Sequence, residues 1–258
     1  MVQIIIFSKD RAFQLDALLR SIKELYHVLY TINVLYTYSN SFYKCGYSLC
    51  QMHHRDINWV LQENFKTDTE DLINVHHSKY VSFFTDDDLI KRDVYYDETF
   101  KQLDGNANIL TLSLRLGLHC HRNYVNNNET PPPKSIIWNW KNYPPLSDWG
   151  YPMSIQGNVF RAVDLKGYTS KLNYNTPNTL EGSMYHKPLS QPLMACYEKS
   201  KVVCLQINRV ADSINRAGNV HQDYLNKMFL EGLKMKLQPI YDMPDQDSSD
   251  FETQVEFE

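Results

Sequence analysis

Short apolar runs alternate with segments of helical period through the first third of the chain, and this alternation restricts the fold more than any other feature. Val2–Phe7 is apolar and β-branched, the pattern of a strand buried on both faces. Phe13, Leu15, Leu18, Leu19, Ile22 and Leu25 then recur at helical spacing, which predicts an amphipathic helix from Ala12 to Tyr26. Thr31–Tyr38, Ile57–Leu61 and Tyr80–Phe84 read as further strands, with helices expected around Tyr43–His54 and Thr67–His77 between them. Such an order requires a mostly parallel sheet with right-handed crossovers. Ligands of these sheets bind beyond the carboxyl ends of the strands. Ser8–Arg11 and Asp86–Asp88 follow two of those ends, so both are expected at one crevice.

The second half is less regular. Ile109–Leu116, Ile155–Val163 and Lys201–Ile207 read as strands, and Gln222–Lys234 as a last amphipathic helix. A helix is predicted over Thr179–Tyr185, capped by Asn178 or Thr179, with Glu181 in its first turn. Residues 119–150 carry Asn126-Asn127-Asn128, Pro131-Pro132-Pro133, Trp138, Trp140 and Trp149 without any period. A connection of that length is usually functional or disordered.

Composition narrows the function. The chain is 43% hydrophobic and 22% charged, which fits an ordinary globular protein. The formal net charge of −4 is uneven: Asp242 to Glu258 holds seven acids and no base, leaving a mildly positive body. That field is too weak for a nucleic-acid surface, and residues 242–258 are expected to be a solvated, disordered tail. No apolar run approaches the ~20 residues of a membrane span, nor does the N-terminus read as a signal peptide. Five cysteines without a C-x-x-C pair argue against a disulfide framework and against a structural zinc site. The expected location is cytoplasmic.

Three consecutive carboxylates end the fourth strand. On an extended chain Asp86 and Asp88 share one side and Asp87 takes the other. Two carboxylates aimed at one point repel unless a cation lies between them. Mg²⁺ or Mn²⁺ suits such a site, because hard divalents take oxygen ligands and leave positions for phosphates. The competing explanation is a solvated turn.

With Ile4-Ile5-Ile6-Phe7-Ser8-Lys9-Asp10-Arg11, Phe83-Phe84-Thr85-Asp86-Asp87-Asp88, Gly157-Asn158-Val159-Phe160-Arg161 and Asn178-Thr179-Leu180-Glu181-Gly182, the sequence resembles the GT-A glycosyltransferases of the broad family-2-like kind. The likeness covers most of residues 1–235, and the first two segments are the distinctive ones. It implies an α/β, Rossmann-like GT-A fold: a mostly parallel central sheet flanked by helices, with an irregular acceptor-side second half. Residues 1–241 would form one domain, with a nucleotide-binding half over 1–118 and an acceptor-side half over 119–241. The implied activity is metal-dependent transfer of a sugar from a UDP- or GDP-linked donor to a hydroxyl of a carbohydrate acceptor, with inversion.

Carried over to this chain, the resemblance places Ser8, Arg11, Asp86 and Asp87 at the nucleotide, with Arg11 able to bond phosphate. It places Asp86 and Asp88 at the metal. Glu181 takes the position of the catalytic base, and Asp148 is its main rival. His221 is a candidate further metal ligand, and Arg209 and Arg216 are candidates for the diphosphate. Three departures stand out. The usual acid pair is here Glu181-Gly182. The loop after the second strand, Ser39-Asn40-Ser41, lacks an acid for the base ring, for which stacking on Tyr38 or Tyr43 can substitute. The third departure is the 119–150 insertion, where Trp138, Trp140 and Trp149 suit either sugar stacking or core packing.

The adjacent pairs His53-His54 and His76-His77 read as surface or packed residues, because neighbours on a helix cannot face one metal. Other readings are weaker. A nucleotidyltransferase would show a glycine-rich loop where Ser8-Lys9-Asp10-Arg11 stands, and a phosphohydrolase or nuclease would need more clustered ligands. A non-catalytic carbohydrate- or nucleotide-binding protein of the same fold would not need the intact acid run.

Overall fold

The computed structural model describes residues 1–75, 77–210 and 216–258. The first half follows the predicted order: β1 (Val2–Lys9), α1 (Ala12–Leu25), β2 (Tyr30–Thr37), α2 (Ser41–His53), β3 (Asn58–Leu61), α3 (Phe65–Val75) and β4 (Tyr80–Thr85). These strands pair in parallel in the order β3-β2-β1-β4. After them come β5 (Asp88–Ile90), α4 (Glu98–Gly105), β6 (Ile109–Ser113), β7 (Ile137–Asn139), β8 (Asn158–Arg161), α5 (Ala162–Leu165), α6 (Pro177–His186), β9 (Leu193–Cys196), β10 (Val202–Leu205), α7 (Gln222–Leu230), α8 (Gln238–Asp242) and β11 (Asp250–Phe251).

The eight-stranded sheet continues from β4 through β8, β6, β9 and β7. Strand β8 runs antiparallel to both β4 and β6, whereas β6 and β9 are parallel. Strand β1 is buried at every position but Lys9, which its unbroken apolar run requires. Its alternate side chains feed two layers. Ile4 and Ile6 join the core under α1 and α2, while Ile5 and Phe7 join a second core with Phe65, Phe83 and Phe160. The fold is the mostly parallel α/β arrangement that the alternation predicts, with helices over the sheet.

A second sheet sets the site. Strand β5 begins right after β4, turns away at Asp86–Asp87, and pairs antiparallel with β10; β10 in turn pairs parallel with β11. Here the expected solvated tail is corrected. Asp250 and Phe251 form a strand, Asp250 is buried, and Phe257 packs 5.6 Å from Phe13. Apolar residues spaced through the acidic segment give it a face to bury, and Arg115 and Arg20 neutralise Asp250 and Glu258. Asp245, Asp247, Asp250, Glu252, Glu256 and Glu258 are ion-pair partners rather than a solvating brush. Among the described residues, no helix is long and apolar enough to cross a membrane.

Candidate active site

The loop after β1 is shaped by Asp10, which takes a left-handed backbone conformation (φ +57°) and accepts hydrogen bonds from the backbone N–H and the hydroxyl of Ser39. That turn aims the next residue, Arg11, across the end of the sheet. Arg11 Nη1 lies 3.0 Å from Asp86 Oδ1 and 2.9 Å from Asp87 Oδ2, while Nη2 donates to the Asn208 carbonyl. Ser8 donates to Asp86 Oδ2 at 2.9 Å and shares a 2.7 Å hydrogen bond with Tyr47 of α2. The Lys9 N–H also donates to Asp86. The two strand ends thus meet at one crevice, as their positions in the sequence predict.

The three acids divide differently from the expected alternation. Because the chain turns at Asp86–Asp87, strand alternation does not govern these side chains, and Asp86 and Asp88 take different partners. Asp86 is fully engaged by Ser8, Lys9 and Arg11. Asp88 turns back to accept from the N–H and hydroxyl of Thr85. Register then lines Asp88 of β5 beside Cys204 of β10, and Cys204 beside Asp250 of β11. Burial pushes the Asp86 carboxyl up to about 6, opposed by Arg11. Burial, then the Asp87 charge, raises the Asp88 carboxyl well above its usual range.

Asp87 Oδ1 and Asp88 Oδ1 are buried with no hydrogen-bond partner, and ligand atoms of Asp87, Asp88 and Cys204 lie within 4.8 Å of one another. Two orphaned, like-charged oxygens fit a divalent cation. Asp87, which lines the cavity described next, and Asp88, which does not, are the residues that could hold one, while Asp86 is engaged by Arg11 and the β1 loop. His221 caps α7, is exposed, and accepts from the Asp223 N–H; it does not line the cavity described next.

A cavity of about 1180 Å³ opens over these strand ends. Ser8, Arg11, Tyr38, Asp86, Asp87, Asp148, Glu181, Arg209 and Arg216 all line it. Glu181 comes from α6, whose start differs from expectation. Thr176 is the cap, Pro177 opens the helix, and Thr179 completes a capping box. Glu181 therefore sits in the second turn, out of reach of a first-turn dipole role. It accepts from the Ile155 N–H at 3.1 Å, and burial raises its carboxyl above the usual value against that hydrogen bond. Its rival Asp148 is held by Arg115 at 2.9 Å and by Asn123, so its oxygens are spoken for.

Trp138 and Trp149 are core, and Trp140 is partly buried against them. Trp138 and Trp149 pack edge to face at 5.0 Å among Leu116, Cys120, Met194 and Cys196, and Trp138 Nε1 donates to the Trp149 carbonyl. Trp140 packs against the same cluster and donates to the Gln191 carbonyl. None of the three lines the cavity; its aromatic lining includes Tyr38, Tyr124 and Tyr151. An indole in an insertion satisfies its own N–H on a nearby carbonyl and buries the rest, and that preference wins here. Sequence reasoning missed Arg115 and Asp250, which pair at 3.0 Å in the cavity wall. Their one signal is a lone Arg inside the apolar run Leu112–Leu116. His76 of the second histidine pair lies outside the described residues.

No protein-family profile matches the chain. The chain is 27% identical over 257 residues to the bifunctional glycosyltransferase pgtA of Dictyostelium discoideum, an alignment covering 82% of this chain and 32% of that protein. It therefore spans about a third of that relative's length. Among solved structures, residues 1–349 of S. aureus TarS superpose with a TM-score of 0.54 at 11% identity, covering 80% of this chain and 60% of that one. The mannosyltransferase PcManGT from Pyrobaculum calidifontis, in complex with GDP-Man and Mn²⁺, gives a TM-score of 0.40 at 11% identity, covering 69% and 50%. The fold is of the GT-A type.

Proposed function

We propose that this chain is a glycosyltransferase that moves a sugar from a nucleoside-diphosphate donor to an acceptor hydroxyl. One observation carries the proposal: an acid turn at the end of β4 and the partly buried Glu181 open on the same cavity, on a fold of the GT-A type. The likeness to a protein named a glycosyltransferase supports it.

Ser8 and Tyr38 border the nucleotide end of the cavity, and Arg11, Arg209 and Arg216 supply cationic lining for a diphosphate. Asp87 and Asp88 are the residues to hold Mn²⁺ or Mg²⁺; the chemistry such an ion supplies is neutralisation of charge on the departing diphosphate. Glu181 accepts the proton of the acceptor hydroxyl as that oxygen bonds to the anomeric carbon from the face opposite the leaving group, so the configuration inverts. A carboxyl with raised proton affinity is suited to that task. Asp148, tied to Arg115, serves the cavity wall.

Isothermal titration with UDP and GDP, each with Mn²⁺ and with chelator, tests the donor side. Metal-dependent nucleotide binding is the expected result. Sugar binding with no nucleotide binding under either condition would overturn the reading in favour of a non-catalytic carbohydrate-binding protein.

A further inference from the structure

Away from the cavity, α1 and α2 pack against each other around a polar knot. Asp16 of α1 is 1% exposed, Cys50 of α2 is 0% exposed, and His54, just past the end of α2, is 3% exposed. Ligand atoms of these three residues lie within 4.8 Å of one another. His54 Nε2 is 2.9 Å and His53 Nδ1 3.5 Å from the same oxygen, Asp16 Oδ1. Two adjacent histidines converge because His54 leaves the helix (φ −128°, ψ 62°), which breaks the spacing that would otherwise splay them.

Helical order brings the remaining donors together. Cys50 and His53 stand at i and i+3, a spacing that places side chains on one helix face, and His54 follows just past the helix end. Asp16 is held from behind by Arg20, whose Nε donates to Asp16 Oδ2 at 2.9 Å, so that Oδ1 is presented to the histidines. Anchoring of a carboxylate by an outer partner is a regular feature of metal sites. His54 Nδ1 is buried with no protein partner, leaving a nitrogen of an enclosed imidazole unsatisfied by the fold. The ring of His53 is 30% exposed and gives an ion its way in.

We infer that Asp16, Cys50 and His54 form a zinc site, with His53 beside it, separate from the acid turn. One thiolate, one imidazole and a carboxylate make a three-ligand set of the N/S/O kind that Zn²⁺ takes, with the neighbouring His53 ring or a water left to fill the fourth position. On binding, the Cys50 thiol gives its proton to solvent and its sulfur to the metal. The expectation drawn from the missing C-x-x-C pair fails here because only one ligand is a cysteine. The site clasps α1 to α2, and those helices position Arg11 and Tyr47 at the acid turn.

The test uses the full chain loaded with zinc and dialysed against metal-free buffer. One zinc per chain is expected to remain, and X-ray absorption is expected to show one sulfur at about 2.3 Å with nitrogen and oxygen neighbours. Cys50→Ser should remove the sulfur and lower zinc affinity about 100-fold or more, beyond what outer-shell changes usually cost. Cys204→Ser should leave both unchanged. Loss of all zinc on dialysis, a sulfur-free shell, or loss of the sulfur in Cys204→Ser would overturn the inference. If Cys50→Ser fails to fold, the wild-type spectrum and the Cys204→Ser comparison still decide.

Discussion

Arg115 holds Asp250 at 3.0 Å, joining the end of β6 to β11 inside the wall of the cavity. The same guanidinium holds Asp148 at 2.9 Å, so one buried cation serves two acids. Burial raises the Asp250 carboxyl, which means the charged form depends on Arg115 to persist. Arg115→Leu is expected to destabilise the fold by about 3–5 kcal/mol, since two buried carboxylates then lack their counter-charge. Urea unfolding of the variant beside the wild type measures it. A loss below about 1 kcal/mol would show that the pair is not structural.

Glu181→Gln should remove the general base while keeping the acceptor for the Ile155 N–H. Turnover is expected to fall about 10²–10⁴-fold with nucleotide affinity unchanged. Because burial disfavours the Glu181 carboxylate, the variant should be as stable as the wild type or more so near neutral pH. Initial rates and thermal melts on the same preparation separate the two effects. Wild-type turnover in this variant places the base elsewhere.

The pH dependence follows from the same residue. A base works ionised, and Glu181 is raised by burial, so kcat should climb with pH along a limb above that of an exposed glutamate. For stability the sign reverses. A raised carboxyl contributes fully below its unfolded value and loses that contribution as pH rises through the folded one. A rate profile without an acid limb in that range counts against Glu181.

Asp88→Asn is expected to abolish the difference in nucleotide affinity between Mn²⁺ and chelator, and Asp87→Asn to reduce it. Asp86→Asn should weaken binding through Arg11 and Ser8 yet preserve the metal effect. Calorimetry on the three variants checks this division. If Asp86→Asn alone erases the metal effect, the cation belongs on the other side of the turn.

Trp149→Ala should cost about 3–5 kcal/mol of stability, the loss expected of a buried Trp truncation. Acceptor KM for the folded fraction should not change, because the ring does not reach the cavity. A raised KM at unchanged stability would restore the stacking role.

The parallel core was legible because Ile4, Ile5 and Ile6 leave a strand no exposed face. The acid turn was legible because it interrupts an apolar strand. Its internal division was not: alternation assumes an extended chain, and whether Asp88 starts a new strand depends on β10, more than a hundred residues away. Strand β9, Leu193–Cys196, is four residues long and follows Pro192, too brief for a period to register. The start of α6, and so the turn that holds Glu181, is not legible in the sequence, because Thr176 and Thr179 both suit a cap and only geometry chooses between them.

Arg11 has a consequence for how the crevice fills. Its guanidinium bridges Asp86 and Asp87, so a phosphate that recruits Arg11 must draw it away from carboxylates that then need another positive charge. Under the proposed function, a cation on Asp87 and Asp88 would supply that charge and free the arginine. On that reading the two ligands are linked, and each should tighten the other by the same factor.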